Sequence, residues 1–137
     1  MPNHESANIR EVFCSVQGEG PYVGMRQAFV RFSGCNLSCS YCDTNFANPG
    51  NCDYERVEGS GVFEKVPNPV SIEKLESMLQ PFKKLHSISL TGGEPLLHAD
   101  FIEKMDLSVS LYLESNMTLP EQARKLSGNI AYVAGDF

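Results

Sequence analysis

The sequence predicts an α/β fold on a mainly parallel sheet. Two observations carry this. Strand-like runs rich in Val, Ile and Phe alternate with segments of helical spacing. The connections between them are short in the C-terminal half. Such alternation favours right-handed βαβ units, whose strands stack in parallel. At 137 residues the chain suits a single domain, 1–137.

The elements follow in order. Residues 9–16 (IREVFCSV) and 27–33 (QAFVRFS) predict strands. Between them QGEGPYVGMR is a loop whose glycines let the backbone approach another group. A cysteine-rich loop occupies 34–44. Residues 45–70, with several Asn, Gly and Pro, read as an irregular surface excursion. Ser71 is placed as an N-cap, with Ile72, Leu75, Leu79 and Phe82 at helical spacing and Pro81 ending or kinking the helix. SISL (87–90) predicts a short buried strand leading into TGGEP. A short helix is expected over 99–106 and a strand over 109–115 (VSLYLES). A helix then runs through PEQARKL, with Thr118 as its cap and Pro120 in its first turn. IAYVAGDF (130–137) opens as another strand. No closing helix follows, so the fold is expected to be incomplete at its C-terminal end.

Composition narrows the function. The formal net charge of −6 disfavours direct binding to a nucleic-acid backbone, which needs clustered Lys and Arg. No apolar run is long enough to span a membrane, and MPNHESANIR lacks the hydrophobic core of a signal peptide. A cytoplasmic protein is expected. In that setting five cysteines, an odd number, point to metal or redox chemistry more than to disulfides.

In parallel α/β folds ligand sites gather at the carboxyl ends of the strands. Three such ends carry unusual loops. The cysteine loop follows QAFVRF, TGGEP follows SISL, and Glu114-Ser115-Asn116 follows VSLYL. A parallel sheet would bring all three to one edge. Cys35, Cys39 and Cys42 form C-x3-C-x2-C. Thiolates suit iron–sulfur clusters, zinc and Cu(I). A structural zinc site needs four ligands, with Cys52 or Cys14 as the candidate fourth. An ordinary four-cysteine cluster is also compatible with the spacing. A [4Fe–4S] cube held by only three thiolates leaves one iron open to a substrate or cofactor. In T91-G-G-E94-P, Gly92 and Gly93 permit close backbone approach, and Glu94 offers an acceptor for an ammonium. His4, His86 and His98 show no partner spacing. Cys14 reads as a buried thiol, and Cys52 carries no assignment.

The C-x3-C-x2-C spacing resembles that of the radical S-adenosylmethionine (SAM) superfamily, with Tyr41 at its usual aromatic position. The resemblance implies a partial (β/α) barrel. It also implies that SAM occupies the open iron and is cleaved to a 5′-deoxyadenosyl radical, with Gly92, Gly93 and Glu94 beside its amino group. Three strings, E11-V-F-C-S-V-Q-G-E-G-P-Y-V-G24, F29-V-R-F and G-C-N-L-S-C-S-Y-C-D-T44, are similar to those of the 7-carboxy-7-deazaguanine synthase family. That similarity is dense over residues 9–46 and resumes at 90–98 and 113–118.

The family resemblance implies conversion of 6-carboxy-5,6,7,8-tetrahydropterin to 7-carboxy-7-deazaguanine with loss of ammonia, for queuosine or archaeosine synthesis. It implies a [4Fe–4S] cluster, SAM and Mg²⁺ as cofactors, a flavodoxin or ferredoxin as reductant, and a homodimer. Residue by residue, the resemblance implies that Gln17, Gly18, Glu19, Gly20, Arg31, Glu114 and Asn116 face the pterin, that Thr44 ligates Mg²⁺, and that Ser115 reaches SAM. The 137 residues alone are expected to show weak or absent activity. Two rivals are kept. One is a glycyl-radical activating enzyme, which would share the cysteines but lack QGEG and FVR. The other is a non-enzymatic zinc-binding module.

Overall fold

A computed structural model describes residues 5–18, 20–34 and 49–135. Nine strands and three short α-helices follow one another in these residues: β1 (Ser6–Ala7), β2 (Ile9–Val16), β3 (Arg26–Phe32), β4 (Asn51–Tyr54), β5 (Glu64–Pro67), β6 (Val70–Ser71), α1 (Ile72–Leu79), β7 (Ser87–Gly92), α2 (Ala99–Glu103), β8 (Ser110–Ser115), α3 (Pro120–Lys125) and β9 (Ile130–Gly135). A 3-10 turn over Pro95–His98 precedes α2. β1 and β6 form a small antiparallel pair. The other seven strands form one sheet in the order β5-β4-β2-β3-β7-β8-β9.

The sheet is mainly parallel, as expected, through β2–β4, β3–β7, β7–β8 and β8–β9. The first two predicted strands are the exception. β2 and β3 pair antiparallel, because the short 17–25 loop is a hairpin connection and cannot make a crossover. Residues 45–70 are also more regular than expected. Within their described part, β4 and β5 form an antiparallel hairpin at the sheet edge. Asn68 pins this segment to β2: its Nδ2 donates to the Ile9 and Pro49 carbonyls (2.9 and 3.1 Å), and its Oδ1 accepts from Ile9 N (3.0 Å). Short strands with polar alternate positions carry too little apolar signal to be seen among Asn, Gly and Pro.

The two faces of the sheet differ by simple alternation. Val12, Cys14, Ala28, Val30, Phe32, Ile88, Leu90, Leu111 and Leu113 are buried in one core. That core includes Leu75, Met78 and Leu79 of α1, Phe101 and Ile102 of α2, and Leu126 after α3. Each such side chain contributes about 1.5–3 kcal/mol on burial. Ser71 caps α1 by accepting from Lys74 N at 3.1 Å, as predicted. Thr118 does not cap α3. The N-cap position is Leu119, and Thr118 Oγ1 instead donates to Asn116 Oδ1 at 2.8 Å. The opposite face carries the intervening residues, among them Glu11, Phe13, Ser15, Gln27, Phe29, Arg31, Ser87, Ser89 and Thr91. This polar and aromatic face belongs to a partial barrel, and β5 and β9 are not paired to each other. No helix among the described residues is long and apolar enough to cross a membrane.

Candidate functional site

β3, β7 and β8 are parallel neighbours, so their carboxyl ends share one edge. Here the backbones nearly touch. Gly93 N donates to the Phe32 carbonyl (3.1 Å) and Glu94 N to the Gly34 carbonyl (2.8 Å). Gly92 has φ +122° and leaves no room for a side chain: an added Cβ would stand 2.2 Å from Phe32 O. A Cβ on Gly93 would stand 1.9 Å from Gly34 O. The two glycines are therefore required by the segment that leads into the cysteine loop. His98 supports the same segment. Its Nε2 donates to the Ser33 carbonyl at 3.0 Å, its ring stacks on Phe32, and burial holds its pKa below the usual histidine value.

Glu94 is fully buried. Its Oε2 accepts from Ser115 Oγ at 2.7 Å and its Oε1 from Asn116 N at 3.0 Å. Burial raises its pKa, and the hydrogen bonds from Ser115 and Asn116 oppose that rise. Ser115 Oγ also accepts from Met117 N (2.9 Å), and Asn116 Oδ1 accepts from Thr118 N (3.0 Å). Glu94 thus ties the β8 end to the β7 end. A cavity of about 470 Å³ opens above them, lined by Thr91, Gly92, Gly93, Glu114, Ser115 and Asn116 with Ala134 and Gly135 of β9.

A second cavity of about 500 Å³ runs down the polar face, and Thr91 and Glu114 border both. Phe13 and Phe29 stack with centroids 5.0 Å apart on its wall. Arg31 lines it near the upper edge and donates from Nε to Glu11 Oε1 at 2.8 Å. Glu114 lies opposite, with Ser89 Oγ 3.5 Å from its Oε2.

The 17–25 hairpin closes the far end of this face. Gln17 and Gly18 line the cavity there. Gln17 is buried, its Nε2 donating to Gln27 Oε1 (2.8 Å) and its Oε1 accepting from Gly18 N (3.1 Å). Gln27 Nε2 passes the chain on to Ser87 Oγ at 2.7 Å. Tyr22 anchors the hairpin tip edge-on to His86 (4.7 Å) and against Tyr112 and Tyr132 (5.3 and 5.1 Å). Gly20, at φ +73°, sits beside the Tyr112 hydroxyl.

The sheet thus brings together Gly92, Gly93, Glu94, Ser115, Asn116, Glu114 and Arg31, with Gln17, Gly18 and Gly20 at the other end of the same face. Cys35, Cys39, Tyr41, Cys42, Thr44 and Glu19 lie outside the described residues. Among the described residues no group of three His, Cys, Asp or Glu side chains could hold a metal ion. Sequence reasoning missed Thr91, Glu11, Gln27 and Ser87. Their signal was present: polar residues at every second position of otherwise apolar strands. Cys14 and Cys52 are both buried on the core side.

Residues 29–136 match the model of the Radical SAM superfamily. A 7-carboxy-7-deazaguanine synthase of Archaeoglobus fulgidus is 48% identical over 130 residues, covering 95% of this chain and 54% of the relative. Those of Geobacter sulfurreducens and Methanothermobacter thermautotrophicus are each 42% identical, covering 80% and 95% of this chain and 48% and 49% of theirs. The chain spans about half the length of the curated relatives it matches. Its fold is similar to that in a crystal structure of QueE from Escherichia coli. The TM-score is 0.59 at 23% identity, over 82% of this chain and 54% of the other.

Proposed function

The chain belongs to the Radical SAM superfamily, and from that premise we propose that it carries the radical SAM core of a 7-carboxy-7-deazaguanine synthase. The observation that carries this reading is the meeting of Gly34, Gly93-Glu94 and Ser115-Asn116 at one sheet edge, directly above a polar cavity bordered by Arg31 and Glu114. The name borne by relatives at 42–48% identity supports it.

The donor set fits the cofactors. Cys35, Cys39 and Cys42 supply three soft thiolates in eight residues, which suits an iron–sulfur cluster. Thr44 offers a hard oxygen that suits Mg²⁺. When bound, the [4Fe–4S] cluster and SAM supply a 5′-deoxyadenosyl radical able to take hydrogen from C6 of 6-carboxy-5,6,7,8-tetrahydropterin. The protein's own residues bind and orient. The backbone of Gly92 and Gly93 and the Ser115-Asn116 turn form the wall on the SAM side. Glu94 acts by holding that turn in place. Arg31 takes the pterin carboxylate, Glu114 accepts from the donor edge of the ring, and the Phe13–Phe29 pair offers a flat apolar surface that excludes water. A flavodoxin or ferredoxin as electron donor and assembly as a homodimer belong to the same reading.

The test is anaerobic reconstitution with iron and sulfide, then incubation with SAM, reductant, Mg²⁺ and carboxytetrahydropterin. Weak formation of 7-carboxy-7-deazaguanine above a cluster-free control, detected by mass spectrometry, is the expected result. A preparation holding zinc and no sulfide would replace the reading with a zinc module. Radical transfer to a protein partner without deazaguanine would replace it with an activating enzyme.

A further inference from the structure

Glu11 opens the family-like string E11-V-F-C-S-V-Q-G-E-G and has no role in the reading above. Glu11 lies on the polar face, directly across the β2–β3 ladder from Arg31. On its other side it pairs in register with Asp53 of β4, which pairs with Lys65 of β5. Arg31 in turn pairs with Thr91 of β7. Thr91 and Glu114 of β8 each follow directly on the Leu90–Leu113 pair and line the same two cavities. A single tier therefore crosses six strands: Lys65, Asp53, Glu11, Arg31, Thr91, Glu114. Two of its ion pairs are made, Lys65 Nζ with Asp53 and Arg31 Nε with Glu11 at 2.8 Å. Lys65 and Arg31 give +2, and Asp53, Glu11 and Glu114 give −3, so the tier sums to −1.

We propose that Glu11 is a positioning residue for Arg31, and that the pair makes the cavity selective for a ligand bearing one carboxylate. This rests on the proposed pterin substrate and deepens it. Two physical consequences of the geometry support it. Bonding through Nε fixes the guanidinium plane and leaves both Nη groups for a second acceptor in the cavity that Arg31 lines with Thr91 and Glu114. Glu11 also balances the Arg31 charge. A dianion such as a phosphate ester would add about twice the negative charge of a monocarboxylate to a tier already negative, and the Nη pair can hold a carboxylate in bidentate fashion. Glu114 at the far end suits a ligand whose other edge donates hydrogen bonds.

The experiment compares wild type with Glu11→Ala and Glu11→Gln, using 6-carboxypterin and unsubstituted pterin as fluorescent probes. In Glu11→Ala the affinity for 6-carboxypterin falls about tenfold, ~1.4 kcal/mol, while that for pterin is unchanged. In Glu11→Gln the amide oxygen can still accept from Arg31 Nε, so 6-carboxypterin is retained, but inorganic phosphate now competes more strongly than in wild type. A structural effect would weaken both pterins alike, and that result overturns the proposal. Nitrogen-15 side-chain spectra provide a readout free of pterin. The Arg31 Nε–H exchanges slowly in wild type and Glu11→Gln and fast in Glu11→Ala, and acetate shifts the Arg31 signals only in the first two. An Arg31 response that ignores Glu11 overturns the inference. If acetate responds as expected but wild type binds both pterins equally, the tether stands and the pterin reading fails.

Discussion

Replacing Gly93 by Ala tests the reason for the Gly-Gly pair. The added Cβ would lie 1.9 Å from the Gly34 oxygen and 2.6 Å from its carbonyl carbon. Unstrained carbon–oxygen contacts begin near ~3.3 Å, so the β3 and β7 ends must part by more than about 1 Å. That movement breaks Gly93 N to Phe32 O and Glu94 N to Gly34 O, each worth about 0.5–1.5 kcal/mol. Residual overpacking adds about 1–3 kcal/mol. The expected loss is about 2–6 kcal/mol, against a total of about 5–15 for an ordinary domain. Urea unfolding should show a midpoint well below wild type. Because Cys35 follows Gly34 in the chain, iron and sulfide content after reconstitution should fall even where the variant remains folded. Gly18→Ala, which meets nothing within 4 Å, is the control. A Gly93→Ala protein within about 0.5 kcal/mol of wild type, with full iron content, would refute the reasoning.

Three further outcomes follow from the same geometry. Gln27→Leu removes one hydrogen bond from the buried Gln17 amide and one from the Ser87 hydroxyl, each at about 0.5–1.5 kcal/mol. It should lower the melting temperature and speed amide exchange at Gly24, whose N–H bonds the Gln17 carbonyl. Burial pushes the Cys14 thiol up to about 11 and the Cys52 thiol up to about 12. Both should therefore resist alkylation in the native protein near pH 8 and react at once in urea. Glu94 has a raised folded-state pKa because it is buried. Wild type should gain stability relative to Glu94→Gln as pH falls through that raised value to the ordinary carboxylate range, with no further gain below it. Denaturant melts at several pH values check this, and a wild-type-minus-variant difference flat with pH would contradict it.

Much of the fold was legible because its signals are local. The β3, β7 and β8 strands, the Ser71 cap and the α1 spacing depend on neighbours within a few residues. What was hidden depends on pairing. Nothing inside NCDY or EKVP says that they form β4 and β5. Their hydrogen-bond partners and the Asn68 anchor come from β2 and from each other. Thr118 matched a capping rule, yet the Asn116 turn took its hydroxyl. The edge of the site was legible because strand order and parallel pairing bring Gly34, Gly93-Glu94 and Ser115-Asn116 together. The far end was not. Gln17 was expected to face a ligand, and only the register of Ser15 opposite Gln27 shows that a buried amide chain engages it.

The glycines show why a motif can matter at a site for reasons other than ligand contact. As a sequence, TGGEP predicts a backbone that yields to a bound group. In the fold, Gly92 and Gly93 yield first to Phe32 and Gly34, and the Glu94 side chain turns inward to Ser115 and Asn116. Each element of the motif fastens one loop of the sheet edge to the next. Any ligand held there depends on all three loops keeping their spacing. A change at Gly93 or Glu94 would therefore be felt by the cysteine loop and the Ser115-Asn116 turn together. Couplings of that kind are non-additive, so a Gly93→Ala, Ser115→Ala double variant should cost less than the sum of its parts, because the first change already loosens the edge that the second hydrogen bond secures.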